Sequence, residues 1–171
     1  MEKIIRLLLE NFTLSFLILG FIVAGLEIVL KKEQRSASFV VEHIFSNFLL
    51  FSIGFNFFLN FIFHVFFSQQ IASFIGWEDS PFQIEVGMAS LGFALVGFLA
   101  YKGRSGLRLA AITGPAVFLL GAAAKHIYDV ISAQNLSPGN SGTVLYTDIL
   151  IPLIGFILLY IKYRLKKKGV S

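Results

Sequence analysis

The sequence predicts an all-α fold: a polytopic membrane helix bundle of five transmembrane helices, forming one domain over residues 1–171. Three observations lead there. Hydrophobic residues make up 56% of the chain and charged ones only 14%, whereas a soluble domain carries about a quarter charged residues. Five apolar runs are each long enough for a ~30 Å hydrocarbon core, which takes about 20 helical residues. Lys and Arg cluster between those runs, where they read as topology signals, so the net charge of +4 is no argument for nucleic-acid binding. Cysteine is absent, which excludes disulfides, thiolate nucleophiles, Cys-zinc and iron–sulfur sites.

Residues 1–10 alternate charged and apolar side chains and suit the membrane interface. The first span follows at about 11–30; its length and the lack of a small-residue cleavage motif favour a retained span over a signal peptide. The second span, about 40–67, is longer than the bilayer core requires, so it must tilt, bend near Gly54 or project beyond the membrane. Residues 68–82 read as a loop. The third span, about 83–101, has the sharpest start in the chain: Ser80 as N-cap, Pro81 in the first turn, and Gln83 placed to complete a capping box. Trp77, the sole tryptophan, precedes it at a membrane–water boundary. The fourth span, about 109–131, holds Pro115 as a bend site. Residues 132–143 form an uncharged, turn-rich loop, and the fifth span covers about 144–161.

Eleven of the fourteen basic residues fall in the 31–38 loop, the 102–108 loop and the C-terminal tail, which alternate with two loops free of Lys and Arg. The positive-inside rule then puts the C-terminus in the cytoplasm and the N-terminus outside the plasma membrane. Lys3 and Arg6 oppose this and are outnumbered.

In that topology four helices carry ionisable groups into the outer leaflet: His64 on the second, Glu85 on the third, Lys125, His126 and Asp129 on the fourth, and Asp148 on the fifth. An acid or base inside a membrane is costly unless paired, and is a functional-site candidate for that reason. Glu85, His126, Asp148 and His64 are the candidate ligand or proton site, with Gln83, Asn60, Lys125, Asp129 and Tyr146 in support. Asn56, Asn60 and His64 recur every four residues and make a polar ladder on one face. Lys125 and Asp129 have the same spacing and can pair; Asp129 can also orient the His126 ring. Glu85, Ala89 and Gly92 form a stripe that lets a neighbouring helix come close to the carboxylate. Glu27 can meet Lys31. Each of these groups also has a plain reading, as an interfacial side chain or as interhelical glue.

The runs Gly76-Trp77-x-x-Ser80-Pro81-Phe82-Gln83-x-Glu85-Val86-Gly87, Gly121-Ala-Ala-x-Lys125-His126-Ile-Tyr128 and Ser137-Pro-Gly-Asn140-x-Gly142-x-x-x-Tyr146-Thr-Asp148-Ile-Leu-Ile-Pro152 together resemble a family of small prokaryotic integral membrane proteins of unknown function. The resemblance covers about residues 55–157 and implies a membrane fold without implying an activity. The chain is also similar, more distantly, to small four-helix membrane proteins of the DoxX type, and no redox role follows from that.

Two histidines with two carboxylates suit a divalent transition metal, for which Glu85, His126, Asp148 and His64 are the candidate ligands. The same set without metal suits a proton-coupled or small-ligand pocket. Two alternatives belong to other classes: a haem or redox subunit with His64 and His126 as axial ligands, and a non-catalytic partner subunit, homo-oligomeric or within a membrane complex, whose charges hold helices together. Nothing in the sequence marks a catalytic nucleophile.

Overall fold

The computed structural model describes residues 10–31 and 36–169, and within them the chain is helical with no strand. The N-terminal stretch expected at the interface, and Lys32 and Arg35 of the first basic loop, lie outside the described residues, apart from Glu10. Helix α1 is Phe12–Leu30, α2 Ala37–Phe66, α3 Ser68–Ile75, α4 Phe82–Ala100, α5 Ser105–Ala133, α6 Pro138–Ser141 and α7 Thr143–Lys167. Five of them, α1, α2, α4, α5 and α7, are long and apolar enough to cross a membrane, as expected from composition.

Helix α2 begins where the Ser36 hydroxyl accepts the Phe39 amide at 3.2 Å, a side-chain cap for an otherwise free N–H. The extra length of this span is accommodated by a wide turn: Leu49–Phe55 is π-helical. Such segments insert extra backbone into a helix without ending it. The expected bend near Gly54 is therefore a π segment. Gly54 sits in it because α4 comes too close for a side chain. A Cβ on Gly97 of α4 would lie 2.6 Å from the Gly54 nitrogen, and one on Gly54 would strike the Phe98 ring.

The 68–82 stretch is not all loop, because α3 occupies most of it. It ends at Gly76, whose φ of 78° closes the helix in the left-handed conformation that suits glycine. Helix α4 starts without the capping box that its sequence suggests: no side chain caps it, and Gln83 bonds elsewhere. Pro115 and Pro152 sit inside continuous helices.

Helix α4 lies against the second half of α2, α5 against α7, and α1 and α7 against the first half of α2. Phe45, Phe48, Leu49, Ile53 and Phe57 of α2 fill the centre with Ala94, Ile112 and Ile151. Buried small residues on α4 (Gly87, Ser90, Ala94, Gly97) recur every three or four positions and let the helices approach.

At the basic end of the bundle, Arg108 is 2% exposed. Its guanidinium donates to both Glu42 oxygens at 2.8 and 3.0 Å, to the Ala100 and Tyr101 carbonyls at 3.0 and 2.7 Å, and to the Ser46 hydroxyl at 3.0 Å. Lys162 also pairs with Glu42. One network thus ties α2, α5 and α7, with the half-exposed Glu42 at its centre. Glu27 meets Asn47, whose amide donates to it at 2.8 Å, while Lys31 faces His43 at 3.0 Å. The expected Glu27–Lys31 pair is replaced because α2, not α1's own next turn, lies beside the carboxylate.

Candidate functional site

At the other end of the bundle a cavity of about 460 Å³ opens between α1, α2, α3, α4, α5 and α7. Its polar wall includes Asn56, Asn60 and His64 from α2, Gln83 from α4, His126 from α5 and Asp148 from α7. Its apolar wall includes Phe12, Phe57, Phe74 and Phe118, with Trp77 beside the mouth. The four-residue ladder on α2 holds in space: all three of its members face this cavity.

His64 and Gln83 are both buried, and the His64 Nδ1–H donates to Gln83 Oε1 at 2.5 Å. This crosses from α2 to α4 and takes the glutamine side chain away from its own helix start. Asn60 donates to the Ser90 hydroxyl at 2.9 Å. Asn56 Oδ1 is buried with no hydrogen-bond partner among the described residues.

His126, 4% exposed, is positioned by a residue that helical spacing does not single out. Asn140, on the short helix α6, is wholly buried. Its Nδ2 donates to the Asn135 carbonyl at 2.8 Å and to the His126 carbonyl at 3.3 Å, so its Oδ1 turns to accept from His126 Nδ1–H at 2.7 Å. Nδ1 carries the proton in that arrangement, and Nε2 faces Asp148 Oδ2 at 3.8 Å. Asp148 is 3% exposed, and among the described residues no group hydrogen-bonds to its carboxyl.

Asp129 does not orient His126 as expected. It accepts from Trp77 Nε1–H at 2.8 Å and from Lys125 at 2.5 Å. Trp77 stacks on the His126 ring, centroids 5.6 Å apart and planes 25° from parallel. Lys125 lies 5.1 Å from the Trp77 centroid, within range of a cation–π contact. The i,i+4 pair of Lys125 and Asp129 thus acts at one remove, clamping the tryptophan that covers the histidine. The tryptophan itself is not a boundary anchor alone.

Glu85 and Tyr146 do not join the cavity. Both are exposed. Gln83 turns inward, and two residues further along a helix the direction has rotated by about 200°, so Glu85 points out. The whole Glu85, Ala89, Gly92 stripe is exposed, and a Cβ on Gly92 would meet nothing within 4 Å. Among the described residues no three His, Asp or Glu side chains come together in a metal-holding group. With Glu85 outside and each Nδ1 engaged, the cavity wall offers His64 and, facing each other, His126 and Asp148.

Two site residues were hard to find by sequence. Asn140 sits in an uncharged loop, and the signal available was the Ser137-Pro-Gly-Asn turn, in which proline and glycine fix a tight backbone. Trp77 was visible, but its histidine partner lies 49 positions on.

No curated protein and no solved structure matches the chain. A family model described as a family of unknown function does match, over residues 10–168, and the protein belongs to that family, DUF6790.

Proposed function

We propose that the cavity is a proton-linked binding pocket for a small ligand carrying a hydrogen-bond donor, opening to the outer face of a prokaryotic plasma membrane. The carrying observation is the His126–Asp148 pair. A neutral imidazole protonated on Nδ1 presents its Nε2 lone pair to a carboxylate oxygen at 3.8 Å. Two acceptors facing each other in a buried place are satisfied by a shared proton or by a donor from a ligand. Asn56 Oδ1 is a further acceptor on the same wall. Glu78 at the rim and the lack of an unpaired Lys or Arg on the lining favour a neutral or cationic ligand over an anion. The phenylalanine wall suits an apolar body on that ligand. The outward direction follows from the basic loops at the opposite end.

Proton and ligand donor compete for the same acceptors, so apparent affinity falls as pH is lowered. Trp77 reports occupancy, being the sole tryptophan and stacked on His126. Purified protein would be titrated with small amines, alcohols and carboxylic acids while its emission is followed. The expected result is saturable change with an amine or alcohol, weaker at lower pH and lost in Asp148→Asn. A response equal in wild type and Asp148→Asn, or none from any donor, overturns the reading and leaves the cluster as structural glue.

A further inference from the structure

We infer that the basic end of the bundle carries a binding groove for one acidic phospholipid, between the start of α5 and the end of α7. A groove of about 800 Å³ runs there, lined by Ser105, Arg108 and Leu109 of α5 and by a stripe on α7. The chemistry of that stripe is graded. From the C-terminal end of α7 the lining runs from Lys167 and Lys166 to Tyr163 and Lys162 one turn back, then Tyr160, then Phe156. These positions recur every three or four residues, so they share one helix face. Eleven residues separate Phe156 from Lys167, a rise of about 16 Å, which is close to the thickness of one hydrocarbon leaflet. The stripe therefore goes from cation to tyrosine to wholly apolar side chains in the order of a phospholipid's headgroup, interface and acyl chain.

Its charge favours an acidic headgroup. Lys166 and Lys167 are exposed and have no partner among the described residues. Glu42 answers Arg108 and Lys162 together, a single carboxylate for two cations. Helix α5 begins with no side-chain cap, so the first-turn amides beside Ser105, a lining residue, have no side-chain partner. The apolar wall selects a lipid over free phosphate: Leu109, Phe156 and Tyr160 are 49, 41 and 58% exposed and line the groove beneath the cations.

The test uses full-length protein in a neutral detergent, with dioleoyl phosphatidylglycerol, dioleoyl phosphatidylcholine and inorganic phosphate as probes. Retained lipid is counted by native mass spectrometry, with thermal unfolding alongside. Phosphatidylglycerol is expected to be retained at one copy and to raise the unfolding temperature, while the other two probes do neither. Each lysine near a headgroup contributes about fivefold in affinity, so Lys166→Gln with Lys167→Gln should weaken retention about 30-fold. Leu109→Trp, which fills the groove below the cations, should lower retention with the lysines intact, and it serves if the double variant fails to fold. Equal retention of the two lipids, or retention unchanged in both variants, overturns the proposal. So does an equal effect of phosphate, which would mean an anion site only.

Discussion

Replacing Asn140 with alanine tests how the site is held. The side chain is wholly buried and makes three hydrogen bonds: it accepts from His126 Nδ1–H at 2.7 Å and donates to the carbonyls of Asn135 at 2.8 Å and His126 at 3.3 Å. The last is long and counts for little. The other two each contribute roughly 1 kcal/mol net. Truncation also leaves the His126 N–H buried and unpaired, for which the penalty is about 1–3 kcal/mol. The expected loss is therefore about 3–5 kcal/mol, measured as unfolding free energy in mixed micelles titrated with denaturing detergent. A second readout separates a positioning role from simple packing. With the imidazole released, its stacking on Trp77 is lost and the tryptophan emission should shift before any unfolding. Asn140→Asp should keep the acceptor for Nδ1 but set a carboxylate against two carbonyls, so it rescues the emission better than the stability. A loss below about 1 kcal/mol with unchanged emission in Asn140→Ala would refute the claim that α6 holds His126.

Three further outcomes are expected. Gly97→Ala should destabilise by about 1–3 kcal/mol, because the new Cβ meets the Gly54 backbone at 2.6 Å. Gly92→Ala on the same helix meets nothing and should be neutral or slightly stabilising, since alanine favours helix by up to about 1 kcal/mol; paired thermal melts decide this, and equal effects would mean the α2–α4 contact is misplaced. Arg108→Gln should cost about 2–4 kcal/mol, as it removes a buried guanidinium from the half-exposed Glu42 and strips the Tyr101 carbonyl of its donor. Lys162→Ala, with a side chain 32% exposed, should cost about 1 kcal/mol or less; detergent unfolding of the two variants gives the ranking. Finally, Trp77 emission should fall as pH is lowered through imidazole protonation, because a cationic ring quenches the indole stacked on it. That transition should vanish in His126→Gln, and its persistence there would show that the imidazole stacked on Trp77 is not its source.

The sequence by itself determined the class of object and its long elements. Apolar runs of bilayer length have few ways to satisfy their backbone other than as helices, so five helices long and apolar enough to cross a membrane followed from the sequence alone. It also determined contacts that depend only on the 3.6-residue period: the Lys125–Asp129 pair and the shared face of Asn56, Asn60 and His64. What the period does not contain is the rotation of each helix about its axis relative to its neighbours. That rotation turned Gln83 inward and Glu85 outward, although both stand at the mouth of the same span. It gave Asp129 to Trp77 instead of His126, and Glu42 to Arg108 across 66 residues. Only tertiary structure decided these, because a side chain's partner in a bundle is set by packing between helices, where contacts distant in sequence compete with those one turn away.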